Sequence, residues 1–244
     1  MELNFSFNPN IYDFWKIYEA IRQYYPIGID RGQGRGIYFE YSGIKKLEKI
    51  LVDNIHDNKM YKKQWVNFTE KLGEELNLEN IDTTFGQAPS YSSSLILERS
   101  QTNNCVHTKE LHFSVSLIGD FFQIYGLDST RVFEKDGEIG YSAVNVVTIS
   151  PFQEYKKPFE YVENKIKEKY PNHRIVPFRI GQAIINGLQV HYLDIETCSV
   201  NEALFNQFLN EEHISIPTRG DIFYGMEKWK KKNIDPKDYP QWEF

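Results

Sequence analysis

The stretch Glu110–Asp128, "ELHFSVSLIGDFFQIYGLD", constrains the fold more than any other part of the chain. Leu111, Phe113, Val115 and Leu117 alternate with His112, Ser114 and Ser116. A period of two puts the apolar set on one face of a strand and the polar set on the other. Gly119-Asp120 then matches a two-residue turn with glycine first, and a second apolar run follows at once, so the segment reads as a β-hairpin. "FEKDGEIGY" repeats the signal at Asp136-Gly137, and "AIINGLQVHY" repeats it at Asn186-Gly187. Such a sheet needs cover for its apolar face.

The cover lies upstream. "LNFSF" reads as a short strand, and Asn8-Pro9 as a helix start, with Ile11, Phe14, Trp15, Tyr18, Ile21 and Tyr25 at helical spacing until Pro26 stops the run. After a glycine-rich loop, Ser42 is placed to cap a second helix carrying Ile44, Leu47, Leu51 and Ile55. Tyr61, Trp65, Phe68, Leu72 and Leu76 stripe a third. Further on, Tyr155, Phe159, Val162 and Ile166 mark a helix over 152–170, and Ser199 with Glu202 forms a capping box opening a helix through Leu209. "DIFYGMEKWKKK" reads as a last helix, with cations at its end, and the aromatic tail "YPQWEF" as packing back on the body. "TTFGQAPSYSSS" (83–94) is the candidate junction, and its serines read as loop chemistry. The expectation is one α+β domain over 1–244, an antiparallel or mixed β-sheet with helices packed on one face. It is helix-rich over 1–80 and hairpin-rich over 94–195, with a helical C-terminal segment over 199–244.

The 17 Phe, 16 Tyr and 4 Trp place much buried area on few side chains, which suits a folded globule. The formal net charge is −6. General nucleic-acid binding rests on a basic excess that this chain lacks, so no direct nucleic-acid partner is expected. Two cysteines far apart, Cys105 and Cys198, argue for a reduced compartment. The start "MELNFSFNPN" is not that of a signal peptide, and no stretch approaches the roughly 20 apolar residues of a membrane span. A cytoplasmic location without a membrane partner is the expectation.

The loop "GIDRGQGRGIYFEYSG" (28–43) raises the possibility of a phosphate cradle. A P-loop needs a preceding strand and a closing Gly-Lys-Ser/Thr; here a helix precedes and that ending is absent. Gly32, Gly34 and Gly36 recur every second residue, which is not the dinucleotide fingerprint either. A mobile loop presenting Asp30, Arg31 and Arg35 to a protein partner fits better, since Arg is favoured at interfaces. Cys105, His107 and His112, with Glu110 nearby, match no zinc spacing, so neither a metal nor another cofactor is expected. His191 and Asp194 would point to opposite faces of a regular strand. With no nucleophile elbow and no H-E-x-x-H, the sequence assembles no catalytic set.

Three stretches, "GRGIYFEYSGIKKLEKIL", "TTFGQAPSYSSSLILE" and "ELHFSVSLIGDFFQIYGLD", resemble the immunity-type proteins that bacteria encode beside secreted polymorphic toxins. The resemblance spans the first half to two-thirds of the chain and carries no catalytic signature. It implies a protein that binds and neutralises a cognate toxin by protein–protein contact. The expected contact surface is Asp30, Arg31 and Arg35 with Glu110 and His112 on the polar strand face. Two alternatives stay open: an enzyme acting on a small molecule or nucleotide, sited between the sheet and the glycine loop, and a non-catalytic subunit of a larger assembly.

Overall fold

The computed structural model describes residues 4–32, 35–134, 137–209 and 216–232, and all but the side chain of Arg35 among them. The first third is helical, as its stripes require. Helix α1 (Trp15–Tyr24) ends two residues before Pro26; α2 (Arg35–Glu40) leads into α3 (Ser42–Leu51). Ser42 is the first helical residue of α3, not its cap: Tyr41 occupies that place without a side-chain cap bond. A π-turn (Val52–His56) extends α3, Asp57 caps α4 (Asn58–Tyr61) through the amides of Lys59 and Met60, and a second π-turn (Lys62–Val66) runs into α5 (Asn67–Leu76). Trp65 and Leu72 are fully buried from that last stripe.

The strands follow: β1 (Glu79–Asp82), β2 (Ser90–Thr102), β3 (Cys105–Ser116), β4 (Phe121–Phe133) and β5 (Ile139–Thr148). They pair antiparallel in chain order. Residues 117–120 join β3 to β4, and the register Val115↔Phe122 centres that turn on Ile118-Gly119 rather than the expected Gly119-Asp120; Asp136 of the second hairpin signal lies outside the described residues, and Asn103-Asn104 makes a tight turn between β2 and β3. Helix α6 (Lys156–Lys169) crosses the sheet with Phe159, Val162 and Ile166 buried; Tyr155, just ahead of it, is buried too. Gly126 on β4 is what lets Tyr155 approach, because a Cβ there would run into the tyrosine ring. Short strands β6 (Arg174–Ile175) and β7 (Thr218–Arg219) add to β4 and β5 in parallel, completing a mixed seven-stranded sheet of the described residues. Between them lie α7 (Phe178–Gly181) and α8 (Val200–Leu204), and Ser199 and Glu202 form the expected capping box at α8.

The main core sits between the helical layer and one sheet face: Trp65 stacks on Tyr91 at 5.5 Å and meets Phe113 at 5.8 Å. The other face is closed too, around a smaller cluster of Tyr125, Leu127, Val147, Ile149 and Leu209.

Further local expectations change: the helix expected to start at Asn8-Pro9 begins only at Trp15, with Phe14 at its N-cap. "LNFSF" makes a bridge from Asn4 to Ile184, not a strand. Asn186-Gly187 turns the chain without a hairpin, because its neighbours are spent elsewhere: the Gly28 amide donates to Gly187 O at 2.8 Å, and the Cys198 amide to Leu188 O at 2.9 Å. The helix opened by Ser199 stops at Leu204 rather than Leu209. The last helix is a single 3-10 turn (Met226–Trp229), since Gly225 takes φ 84° and breaks the run. The "YPQWEF" tail lies outside the described residues.

Candidate functional site

The glycine-rich loop is a clasp. The Arg31 amide donates to Gln189 Oε1 at 2.6 Å, its Nη1 donates to His191 O at 2.8 Å, and its Nη2 pairs with the Asp194 carboxylate. Tyr38, buried in α2, donates its hydroxyl to Gln189 O at 2.7 Å. Arg31 of the loop and Tyr38 of α2 thus fasten this stretch onto Gln189, His191 and Asp194. The expectation of a mobile loop with a presented Arg31 is corrected: its guanidinium is committed inward. Asp30 stays exposed, and its carboxylate accepts from the Gly32 amide at 2.6 Å. Arg35 opens α2, and its side chain lies outside the described residues.

Glu110 and His112 stand elsewhere and differently from expectation. His112 is only 6% exposed, so the polar strand face is not an open surface. Its Nε2 meets Glu110 Oε2 at 3.0 Å, and its ring lies parallel to Tyr125 at 5.4 Å and against Phe208 at 5.7 Å. Burial alone would raise the Glu110 carboxyl, but His112 and Arg131 hold it below the usual carboxylate range. Ser90, Ser92, Ser94 and Ser114 share this face, all buried, so "PSYSSS" starts a central strand rather than a loop. Asn206 covers them, donating to Ser92 Oγ at 2.9 Å and Ser114 Oγ at 3.4 Å. His107, at an odd spacing from His112, lies on the opposite face with Asp128 at 2.7 Å. Among the described residues no three His, Cys, Asp or Glu side chains gather as metal ligands.

Beside the clasp lies a groove of about 460 Å³, within the range of sites that accept an anchoring side chain or a small ligand. Its wall is apolar: Phe39 of α2, then Ile44, Leu47 and Leu51 of α3 and Val52 of the first π-turn. Its lining also carries the polar side chains His56, Gln87, His191 and Glu48. His56 Nε2 lies 3.0 Å from Gly86 O, tying the π-turn to the floor at 86–87. Phe39 and Val52 are exposed, Val52 to 52%. Phe85, one residue before that floor, is also exposed and meets Tyr192 edge-on at 5.8 Å. Sequence reasoning missed this groove because three segments far apart in the chain build it. The aromatic run after the glycines, which contains Phe39, was its one visible trace.

His191 is half-buried in the groove floor, its ring stacked on Tyr25 at 6.3 Å. Burial pushes its imidazole down to about 4; the Gln87 backbone opposes this and the Arg31 guanidinium adds to it. The unfolded chain therefore binds the extra proton first. Stability contributed by His191 is complete above about pH 6.5 and is lost as pH falls toward 4. At pH 5 the loss is about 2 kcal/mol relative to neutral pH. Urea midpoints for the wild type and His191→Gln at both pH values check this. The variant is expected to lose less stability on acidification, and equal losses would refute the assignment.

Among the described residues no helix is long and apolar enough to cross a membrane. Compared with known proteins, the chain matches no protein-family model, no curated protein and no solved structure.

Proposed function

We propose that this protein works by binding another protein, and that the partner inserts an apolar side chain into the groove between Phe39, Val52 and His191. The observation that carries the reading is the groove itself. It combines an apolar wall, including exposed Phe39 and Val52, with polar lining residues, and Arg31 ties one of these, His191, down through its carbonyl. Interfaces concentrate their binding energy in such anchor pockets surrounded by polar residues. Sequence texture and charge supply the partner's class: the resemblance to immunity-type proteins points to a cognate bacterial toxin met in the cytoplasm. A net charge of −6 complements the basic surface of a partner that attacks nucleic acid. Association should slow as salt screens the charges.

The test is capture from the native host followed by an activity assay of the captured protein. Wild type is expected to bind and inhibit it, and Val52→Arg to do neither while melting at the wild-type temperature, since position 52 faces solvent. An inhibitor unaffected by Val52→Arg would move the interface elsewhere. The enzyme reading is favoured by one observation, the presence of His56, His191 and Glu48 in the lining of the same groove. Turnover of a small molecule by the purified chain would select it.

A further inference from the structure

A second cleft lies at the end of the sheet where β3 turns into β4, and it shares no lining residue with the groove. Its volume is about 450 Å³. Both π-turns contribute to it: Asn54 comes from the first and Gln64 from the second, and both line the cleft. A π-turn costs helix regularity and recurs where a helix supplies a functional side chain. Tyr24 and Tyr170, both half-buried, add two aromatic rings to the lining, while the Tyr91 ring lies buried against Trp65.

Two hydroxyls in this cleft are weakly engaged, while the Asn54 amide nitrogen donates to Ile50 O at 2.9 Å and leaves its oxygen as the free edge. The Tyr91 hydroxyl is 3.3 Å from Asn54 Oδ1, and the Tyr170 hydroxyl is 3.5 Å from Gln64 O. Both exceed the roughly 2.5–3.0 Å of a good O–H···O bond, so each has capacity for a stronger partner. The lining carries one carboxylate, Asp120, and no lysine or arginine. His173 lies 3.8 Å from Asp120, and burial lowers its imidazole, opposed by that carboxylate. An anionic ligand would meet a carboxylate without a compensating cation.

Tyrosine rings offer flat apolar faces, and amides and phenols offer neutral donors and acceptors. The matching ligand has C–H faces, hydroxyl edges and no charge. We propose that this cleft binds a neutral mono- or disaccharide, with the Tyr24 and Tyr170 rings against its C–H faces and Asn54, Gln64, Asp120 and the Tyr170 hydroxyl on its hydroxyls. The proposal goes beyond the protein-docking reading and uses other residues, so either can fail alone.

Saturation-transfer NMR on the full chain tests it, with glucose, galactose, mannose, N-acetylglucosamine, maltose and cellobiose as probes and glucose 6-phosphate as the charged comparison. At least one neutral sugar is expected to bind in the millimolar range or tighter, and more tightly than the sugar phosphate. Gln64→Ala and Tyr170→Phe are each expected to weaken it about threefold to tenfold, the equivalent of one hydrogen bond. Tyr170→Phe retains the ring, so it decides the matter if Gln64→Ala disturbs the π-turn. No binding by any neutral sugar, tighter binding of the phosphate, or affinity unchanged in Tyr170→Phe and in a folded Gln64→Ala would overturn the proposal.

Discussion

Trp65→Ala is expected to destabilise the protein by about 3–5 kcal/mol, the range for removing a fully buried large aromatic side chain. Trp65 is the joint between the second π-turn and the sheet. It stacks on Tyr91, packs against Phe68 and Phe113, and donates Nε1–H to Ser92 O at 3.1 Å. The carbonyl itself would not be orphaned, because the Thr84 hydroxyl also donates to it at 3.0 Å. The loss is therefore mainly cavity and contact. Trp65→Phe, which keeps part of the volume, should cost less than the alanine variant. Urea unfolding with an unchanged slope and a lowered midpoint is the expected readout. A cost below about 1 kcal/mol would mean that the helical layer does not dock on the sheet through this residue.

The second large effect concerns the covered polar face. Asn206 Nδ2 supplies the donor to Ser92 and Ser114, and its Oδ1 accepts the Phe208 amide at 3.0 Å. Ser90 links to Ser92 at 3.1 Å and donates to Phe205 O at 2.9 Å. Asn206→Ala leaves these buried groups short of partners and opens a gap, for a cost of about 2–4 kcal/mol. The diagnostic is the combination. Ser92→Ala and Ser114→Ala with Asn206→Leu removes the polar groups together, and should recover part of that loss, because the cost lies in unmet bonds rather than in missing ones. Additive losses in the combined variant would show that the network contributes little by itself.

The same face shows where sequence reasoning reached its limit. Alternation in "LHFSVS" places the strand and its two faces correctly. It cannot show whether the polar face meets water or a second layer of protein, and His112 and the serines look identical in either case. The 205–209 segment that covers them reads in the sequence as the end of the Ser199 helix, but the chain leaves that helix at Leu204. By contrast, Phe159, Val162 and Ile166 and the Ser199 capping box are local devices, and the structure carries each where the sequence places it; the β3–β4 hairpin is also there, but its register centres the turn on Ile118-Gly119 rather than Gly119-Asp120. Asn186-Gly187 is equally local as a signal, yet the flanking chain bonds to residues 28 and 198, so tertiary contacts override the hairpin. Arg31 was singled out from its glycine-rich surroundings. Its actual partners lie about 160 residues downstream, beyond any pattern within the loop.

The docking claim is tested most directly by photo-crosslinking in the native host, with a photoreactive residue at Val52 in one strain and at Lys157, exposed on α6, in another. The groove reading predicts a covalent adduct to one partner protein from position 52, lost when Phe39→Ala is added, and none from position 157. Crosslinking of the partner from position 157 but not from position 52 would contradict it.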